Sequence, residues 1–332
     1  MLARIERRTR ESLARREHFA AILPLRTPYI PNVEDLAGRI EKVIEGSGAK
    51  VLLHPDQRKV EAALSGREDD SESFATGFAR SLTESITGGR EVRLPGGLRI
   101  GSGTTNTRML FLVIDHVGVW IAAGDGEMEH RGKLAPWVNG DLWPAGVGEI
   151  GRHRAWIEIC DLGFMRDRGV ARLDRAFNRA AAVTAAASAV AAATDPLAVL
   201  WYPAKNALPV EAFEEQVGEV VAGRAPLAMW LRYLHIRPDE EGLNEGIVTK
   251  GLAPFCDHEI EVLPSTLGRK EARAAAFEFA RLVVDSGTEP RTGMLLTPSR
   301  NHTAVVRVGE SQIHKGHQVY ELTVQQRTAQ RA

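Results

Sequence analysis

The fold is decided by residues 153–203, which read HRAWIEICDLGFMRDRGVARLDRAFNRAAAVTAAASAVAAATDPLAVLWYP. The stretch begins with an apolar, strand-like run, continues through a long alanine-rich segment and ends in a second apolar run, a pattern that predicts a βαβ unit. Residues 180–194 carry no charge, and their small side chains allow other backbone to approach closely, so we expect a helix buried within the protein. The uncharged run is shorter than the ~20 residues that cross a bilayer. Asp195-Pro196 ends the helix, because proline disfavours helical geometry at the residue before it.

Composition places the chain among ordinary globular proteins. It has 332 residues, of which 44% are hydrophobic and 26% charged, and its formal net charge is −1, so no overall field favours nucleic acid or anionic lipid. The two cysteines, Cys160 and Cys256, are too few for a disulfide scaffold. The first residues carry charges throughout and lack the apolar core of a secretory signal. From these features we expect a cytoplasmic protein without a membrane partner.

Residues 1–17 contain six arginines and three glutamates, which suggests two interpretations. The segment would be a basic arm that binds nucleic acid or a partner, or a solvated, partly frayed helix. No aromatic residue is interleaved with the arginines. This favours the solvated helix over an arm that binds nucleic acid.

The remaining pattern predicts strands and helices that alternate without a fixed repeat. The predicted elements, in chain order, are a strand from His18, a helix capped by Asn32, a strand at 50–54, a helix at 74–86, a short hairpin at 91–100, an apolar hairpin at 107–124, a helix opened by Pro209, a strand at 226–236, a return strand from Ile247 to Val262, a helix at 265–287 and two final strands. The glycines at 88–103 flank a strand and not a helix start, so turns explain them better than a phosphate-binding loop does.

Hairpins mixed with crossovers predict an α+β fold, in which helices pack on a mixed β-sheet around the buried alanine-rich helix. We expect an N-terminal α/β region at 1–105, a C-terminal α+β domain at 106–325 and a polar tail at 326–332.

Catalytic signals in the sequence are weak. Cys256 and His258 are spaced i,i+2, which on a strand places a thiol and a base on the same face. A hydrolase site would have to be split along the chain and would draw in His153, Glu158 and Glu259 as well. A buried thiol in a turn explains the same residues without catalysis.

Binding signals are equally local. Asp257, Glu259 and Glu261 would share one face of a strand and hold a hard cation, although a solvated face explains them as well, and we expect no metal and no cofactor. Lys250, beside Gly251, is a candidate for binding an anion. Trp137 and Trp143 lie in a Pro- and Gly-containing stretch, which predicts a packed lid and makes both tryptophans candidate ligand contacts.

From residue 107 to about 325 the chain resembles the bacterial domain-of-unknown-function family numbered 4261. The resemblance rests on the apolar hairpin, the Trp-containing stretch before HRAWIEI, the alanine-rich helix with LAVLWYP, the segment from Pro209 to Phe213, Trp230 and, most specifically, TKGLAPFCDHEIEV. It implies a bacterial, cytosolic α+β protein and no particular activity. Cys256 stands where members of the family tend to have a glycine.

Three functions remain open on the sequence alone. The favoured hypothesis is a binding or interaction protein without catalysis, with another protein as its partner; toxin neutralisation or a role in defence would be one such job. The alternatives are the split-site hydrolase around Cys256 and His258, and nucleic-acid binding through the arginine-rich start.

Overall fold

The computed structural model describes residues 18–29, 33–44, 51–53, 92–93, 99–100, 108–114, 117–126, 128, 134–140, 142–164, 172–236, 245–265, 269–314 and 316–326. These residues form an α+β fold, which confirms the predicted class. The arginine-rich segment at 1–17 and the helix predicted at 74–86 lie outside the described residues.

The strands, numbered in chain order, are β1 (Ala20–Leu25), β2 (Val51–Leu53), β3 (Val92–Arg93), β4 (Arg99–Ile100), β5 (Arg108–Ile114), β6 (Val117–Asp125), β7 (Ala155–Phe164), β8 (Val199–Tyr202), β9 (Asn206–Leu208), β10 (Arg232–Ile236), β11 (Glu245–Lys250), β12 (Glu259–Ser265), β13 (Leu295–Ser299), β14 (His302–Glu310) and β15 (Gln318–Gln326). The helices are α1 (Val33–Val43), α2 (Gly146–Ile150), α3 (Arg172–Thr194), α4 (Val210–Val221), α5 (Leu227–Trp230), α6 (Ala253–Cys256) and α7 (Arg269–Val284).

Among the described residues, the first sheet has the strand order β2-β5-β6-β7-β1-β8-β9. The β5–β6 hairpin is antiparallel, as its two apolar runs predict, and it lies inside the sheet with Leu112, Ile114 and residues 117–122 buried. The second sheet has the order β10-β11-β12-β15-β14-β13, in which β12 and β15 are parallel. Strands β3 and β4 pair antiparallel, as the hairpin interpretation of the glycine-rich stretch predicts.

The stretch that decides the fold forms β7, α3 and β8. Both strands pair antiparallel with β1, so β7 and β8 run parallel to each other on either side of it. Residues 182–191 of α3 are all buried, which confirms the buried alanine-rich helix. The crossover unit therefore exists, but the first strand of the chain is inserted between its two strands.

Other predicted elements are confirmed with small shifts. Helix α1 buries Leu36 and Ile40 as its periodicity predicts, and α4 follows Pro209 and buries Phe213 and Val217. Helix α7 buries one apolar side, which consists of Ala272, Ala275, Ala276, Phe279, Ala280, Val283 and Val284.

Two predicted strands are wrong in part. The run at 226–236 is helical over α5 before it becomes β10, because Pro226 accepts backbone hydrogen bonds from Met229 and Trp230 and so starts a turn. The return strand from Ile247 to Val262 is interrupted by α6, which starts after Gly251 adopts a positive φ of 105°. Strand β13, which carries Pro298 at the edge of its sheet, was missed entirely.

The chain divides into two compact units. The first contains Met1–Arg168, Asn178–Tyr202 and Ala207–Gly223, and the second contains Gly169–Phe177, Pro203–Asn206 and Arg224–Ala332. Strands from both sides of the boundary expected between residues 105 and 106 share the first sheet, since β1 pairs with β7 and β2 pairs with β5.

Candidate functional site

In the first unit, a tryptophan layer covers one face of the first sheet. It consists of Trp137, Trp143 and Trp156, which are partly buried and pack against a cluster of buried apolar side chains. The cluster contains Ile22, Met128, Leu134, Val138, Ile150, Ala198, Leu200 and Ala207. The two tryptophans of the loop-like stretch are thus packed, as their Pro- and Gly-rich context predicts.

A pocket of about 340 Å³ opens beside the apolar cluster, three of whose members, Leu134, Val138 and Ile150, line it; none of the three tryptophans is among the described residues that do. Its apolar walls come from Leu134, Val138, Val147 and Ile150. Gly148 and Gly151 leave room between these walls, and Arg152 is the one charged residue among the described residues that line the pocket.

Local sequence builds the pocket from a short 3-10 turn at Ala135–Trp137 and from α2. Between them the Trp143 ring packs directly onto Gly146, where a Cβ atom would come within 2.5 Å of the ring and 2.8 Å of Val138 Cγ1. Only glycine permits this approach. Gly148, two residues further along α2, also lines the pocket and has no heavy atom within 4 Å of the place where its Cβ would be.

His153 joins the end of α2 to the backbone of Met128. The backbone N–H of Met128 donates to Nε2 at 2.9 Å, and Nδ1 lies 2.6 Å from the carbonyl oxygen of Ile150. Because a carbonyl only accepts, Nδ1 donates to Ile150, while Nε2 accepts from Met128. Both nitrogens of this fully buried histidine are therefore used in positioning the pocket walls.

Glu158 lies on β7, two residues after Trp156, and is 1% exposed. The register places it beside Ile22 and Ala122, and Ile22 belongs to the apolar cluster. Its Oε1 has no hydrogen-bond partner in the described part of the chain. Burial raises the pKa of this carboxyl from 4.5 to about 8, so that it is mostly protonated at neutral pH.

Cys160, next on the same face of β7, is also buried. Burial raises the pKa of this thiol well above its ordinary value, and the neighbouring Asp161 and Glu158 carboxylates add to the increase. A thiol that resists ionisation is a poor nucleophile.

Asp161 and Arg179 form a buried ion pair that sequence reasoning missed. Arg179 Nε donates to Asp161 Oδ1 at 2.6 Å, and the N–H of Phe19 donates to Oδ2 at 2.6 Å. Burial alone would raise the pKa of Asp161, but His18 and Arg179 outweigh burial and lower it. The pair joins α3 to the first sheet. Nothing in the sequence links two residues 18 positions apart, apart from their opposite charges.

In the second unit, Glu259 holds together the backbone of the segment TKGLAPFCDHEIEV. Its carboxylate accepts hydrogen bonds from Thr249 Oγ1 and from three backbone N–H groups, at 2.7 to 3.2 Å. The N–H donors are Gly251, Leu252 and Ala253, at the start of α6. Glu259 is therefore a cap for this helix, because its oxygens bind N–H groups that have no helical partner.

The predicted carboxylate cluster is spread over separate structural roles. Asp257 is exposed and follows α6 with a φ of 74°, whereas Glu261 is buried and accepts from Ser311 Oγ at 2.7 Å and from the N–H of Gln312 at 3.1 Å. Within the part of the chain that the structure describes, no three His, Cys, Asp or Glu residues are close enough to hold a metal ion.

Cys256 and His258, the predicted thiol and base, each make other contacts in the fold. Cys256 Sγ donates to the carbonyl oxygens of Leu252 and His258, and the His258 ring contacts the Tyr320 ring edge-on with centroids 5.1 Å apart. His153 and Glu158 belong to the first unit, while Cys256, His258 and Glu259 belong to the second. Lys250 is half-buried at the end of β11.

No helix among the described residues is long and apolar enough to cross a bilayer.

A scan against protein-family models and searches of curated proteins and of solved structures returned no match to this chain. The resemblance to family 4261 stays a prediction.

Proposed function

We propose that this protein is a binding protein without catalytic activity of its own, and that the pocket lined by Leu134, Val138, Val147 and Ile150 is its binding site. The observation that carries the proposal is the pocket itself, an apolar hollow of about 340 Å³ within a segment held in place by His153. Small-molecule sites are typically concave, mostly apolar and preformed, with few polar groups.

Exposure of apolar side chains around the pocket supports the same conclusion. Val147 lines it and is 49% exposed, and Leu142, in the same segment, is 81% exposed. Exposed apolar groups beside a hollow are typical of a surface that binds a ligand or partner.

The residues considered for hydrolysis support a binding role over a catalytic one. Both nitrogens of His153 and the carboxylate of Glu259 are occupied by hydrogen bonds that hold backbone in place. A general base needs a free lone pair within hydrogen-bond reach of its substrate.

Filling the pocket tests the proposal. Gly148→Leu adds a large side chain at a residue that lines the hollow, and Gly218→Leu is its matched control, since Gly218 is an exposed helical glycine in α4 with equally open space. Both proteins and the wild type are screened against a panel of small apolar compounds by ligand-observed NMR. We expect compounds that bind the wild type and G218L to lose binding to G148L. Binding that survives in G148L, or a panel without a binder, would refute the proposal.

Turnover assays test the absence of catalysis. Incubation with ester, amide and phosphoester substrates should give no conversion above the buffer rate. Conversion that disappears in both Cys256→Ser and His258→Gln would instead establish the hydrolase.

A further inference from the structure

We infer that the pocket takes a small amphipathic carboxylate, whose apolar body lies between the pocket walls and whose carboxylate binds Arg152. The inference rests on the proposed function and adds the chemistry of the ligand.

The apolar part of the argument comes from the walls. Leu134, Val138, Val147 and Ile150 present only aliphatic carbon, and Gly148 and Gly151 add no side chain. Desolvation of a hydrocarbon chain against such walls gives roughly 25 cal/mol for each Å² removed from water. The volume is near the lower end of ligand pockets, which limits the ligand to a small molecule.

The charged part of the argument comes from Arg152. Arg152 is exposed at the pocket, and its backbone N–H donates to the carbonyl oxygen of Glu149. No acidic side chain in the described part of the chain forms an ion pair with its guanidinium. No acidic residue lines the pocket in that part of the chain. The lining therefore attracts an anion and disfavours a cation.

The geometry of the guanidinium group indicates which class of anion Arg152 would bind. The planar fork of arginine donates two parallel hydrogen bonds to a carboxylate, so it selects planar two-oxygen anions over a point charge. A hydrocarbon chain that ends in a carboxylate satisfies the walls and Arg152 at once.

Three probes of equal chain length test the inference: octanoate, octan-1-ol and octylamine, titrated at pH 7 by NMR with Trp137 and Trp143 fluorescence as a second readout. We expect octanoate to bind about two to five times more tightly than octanol, the range of an exposed ion pair, and octylamine to bind most weakly. Arg152→Gln should remove the preference for octanoate without changing octanol binding. Arg152→Lys should keep part of that preference.

Each failure has a distinct meaning. If octanol binds as tightly as octanoate and G148L abolishes both, the inference on the carboxylate is wrong and the proposed function stands. If G148L leaves octanoate binding intact, both are wrong. If none of the three probes binds, the inference is wrong. A parallel titration with N-acetyl-dileucine and its amide distinguishes a peptide carboxyl terminus from a free carboxylic acid as the source.

Discussion

Replacement of Glu158 by glutamine should change how the stability of the first unit depends on pH. The wild-type carboxyl is buried, and Oε1 lacks a hydrogen-bond partner among the described residues. In the unfolded chain the same group has its ordinary pKa of 4.5, whereas burial raises its pKa in the folded protein to about 8. The proton is therefore held more tightly by the folded state.

The sign and the magnitude follow from this difference. A raised pKa contributes stability that is fully present below pH 4.5 and is lost as the pH rises toward 8. Each pH unit in this window corresponds to about 1.4 kcal/mol, so about 3 kcal/mol is lost by pH 7 and about 5 kcal/mol above pH 8. Glutamine has the same shape and does not ionise. Relative to the wild type, Glu158→Gln should therefore become more stable as the pH rises.

Urea unfolding at pH 5, 6, 7 and 8, followed by tryptophan fluorescence, measures the effect as the difference between the two midpoints. Other titrating groups are common to both proteins and cancel in that difference. Glu289→Gln, at an exposed position, serves as the control and should follow the wild type at every pH. A difference between the wild type and E158Q that stays constant from pH 5 to pH 8 would refute the reasoning, because the carboxyl would then be ionised or paired within the fold.

Three further substitutions, with Gly293→Ala as a control for the third, test other contacts. Asp161→Asn should destabilise the protein by about 3 kcal/mol in urea unfolding, because it leaves the Arg179 charge half-buried without its partner; a loss below 1 kcal/mol would contradict this. Glu259→Gln should cost about 1 to 2 kcal/mol and speed hydrogen exchange at the start of α6, since one amide oxygen cannot replace the whole carboxylate; unchanged exchange there would show that the cap is dispensable. Gly251→Ala should cost about 3 kcal/mol, because φ is 105° and the new Cβ would lie 2.5 Å from the Trp230 carbonyl oxygen. Gly293→Ala, with a φ of 87° and open space, should cost only about 1 kcal/mol; equal losses would show that backbone strain alone decides.

The apolar pattern predicted most of the fold because it reports which side chains are buried. The sequence predicted the buried helix α3 from an uncharged run of small residues, the β5–β6 hairpin from two apolar runs, and the buried sides of α1 and α4 from periodic apolar positions. Topology was harder to predict. That β1 lies between β7 and β8 depends on pairing between residues distant in sequence, and an apolar strand carries no mark of its neighbours.

The site was predictable only in part, because hydrogen bonds between distant residues leave no sequence pattern. The packing of Trp137 and Trp143 was predicted from their context, but neither is among the described residues that line the pocket, and Gly148, which does line it, is a glycine that the sequence does not distinguish from others. The helix α6 was missed because its stability comes from Glu259, six residues beyond its first residue.

Strand β7 shows how the layer that covers a strand decides the chemistry of its carboxyls. Glu158 and Asp161 are three residues apart and both are buried, yet Glu158 faces the apolar cluster while Asp161 accepts hydrogen bonds from Arg179 and from the backbone of Phe19. Their pKa values consequently move in opposite directions, upward for Glu158 and downward for Asp161. The contribution of Asp161 to stability is present above its ordinary pKa of 3.8 and is lost as the pH falls below that value, whereas the contribution of Glu158 is lost as the pH rises. One strand thus restricts the stability of the first unit from both ends of the pH scale, and E158Q should remove only the restriction at high pH.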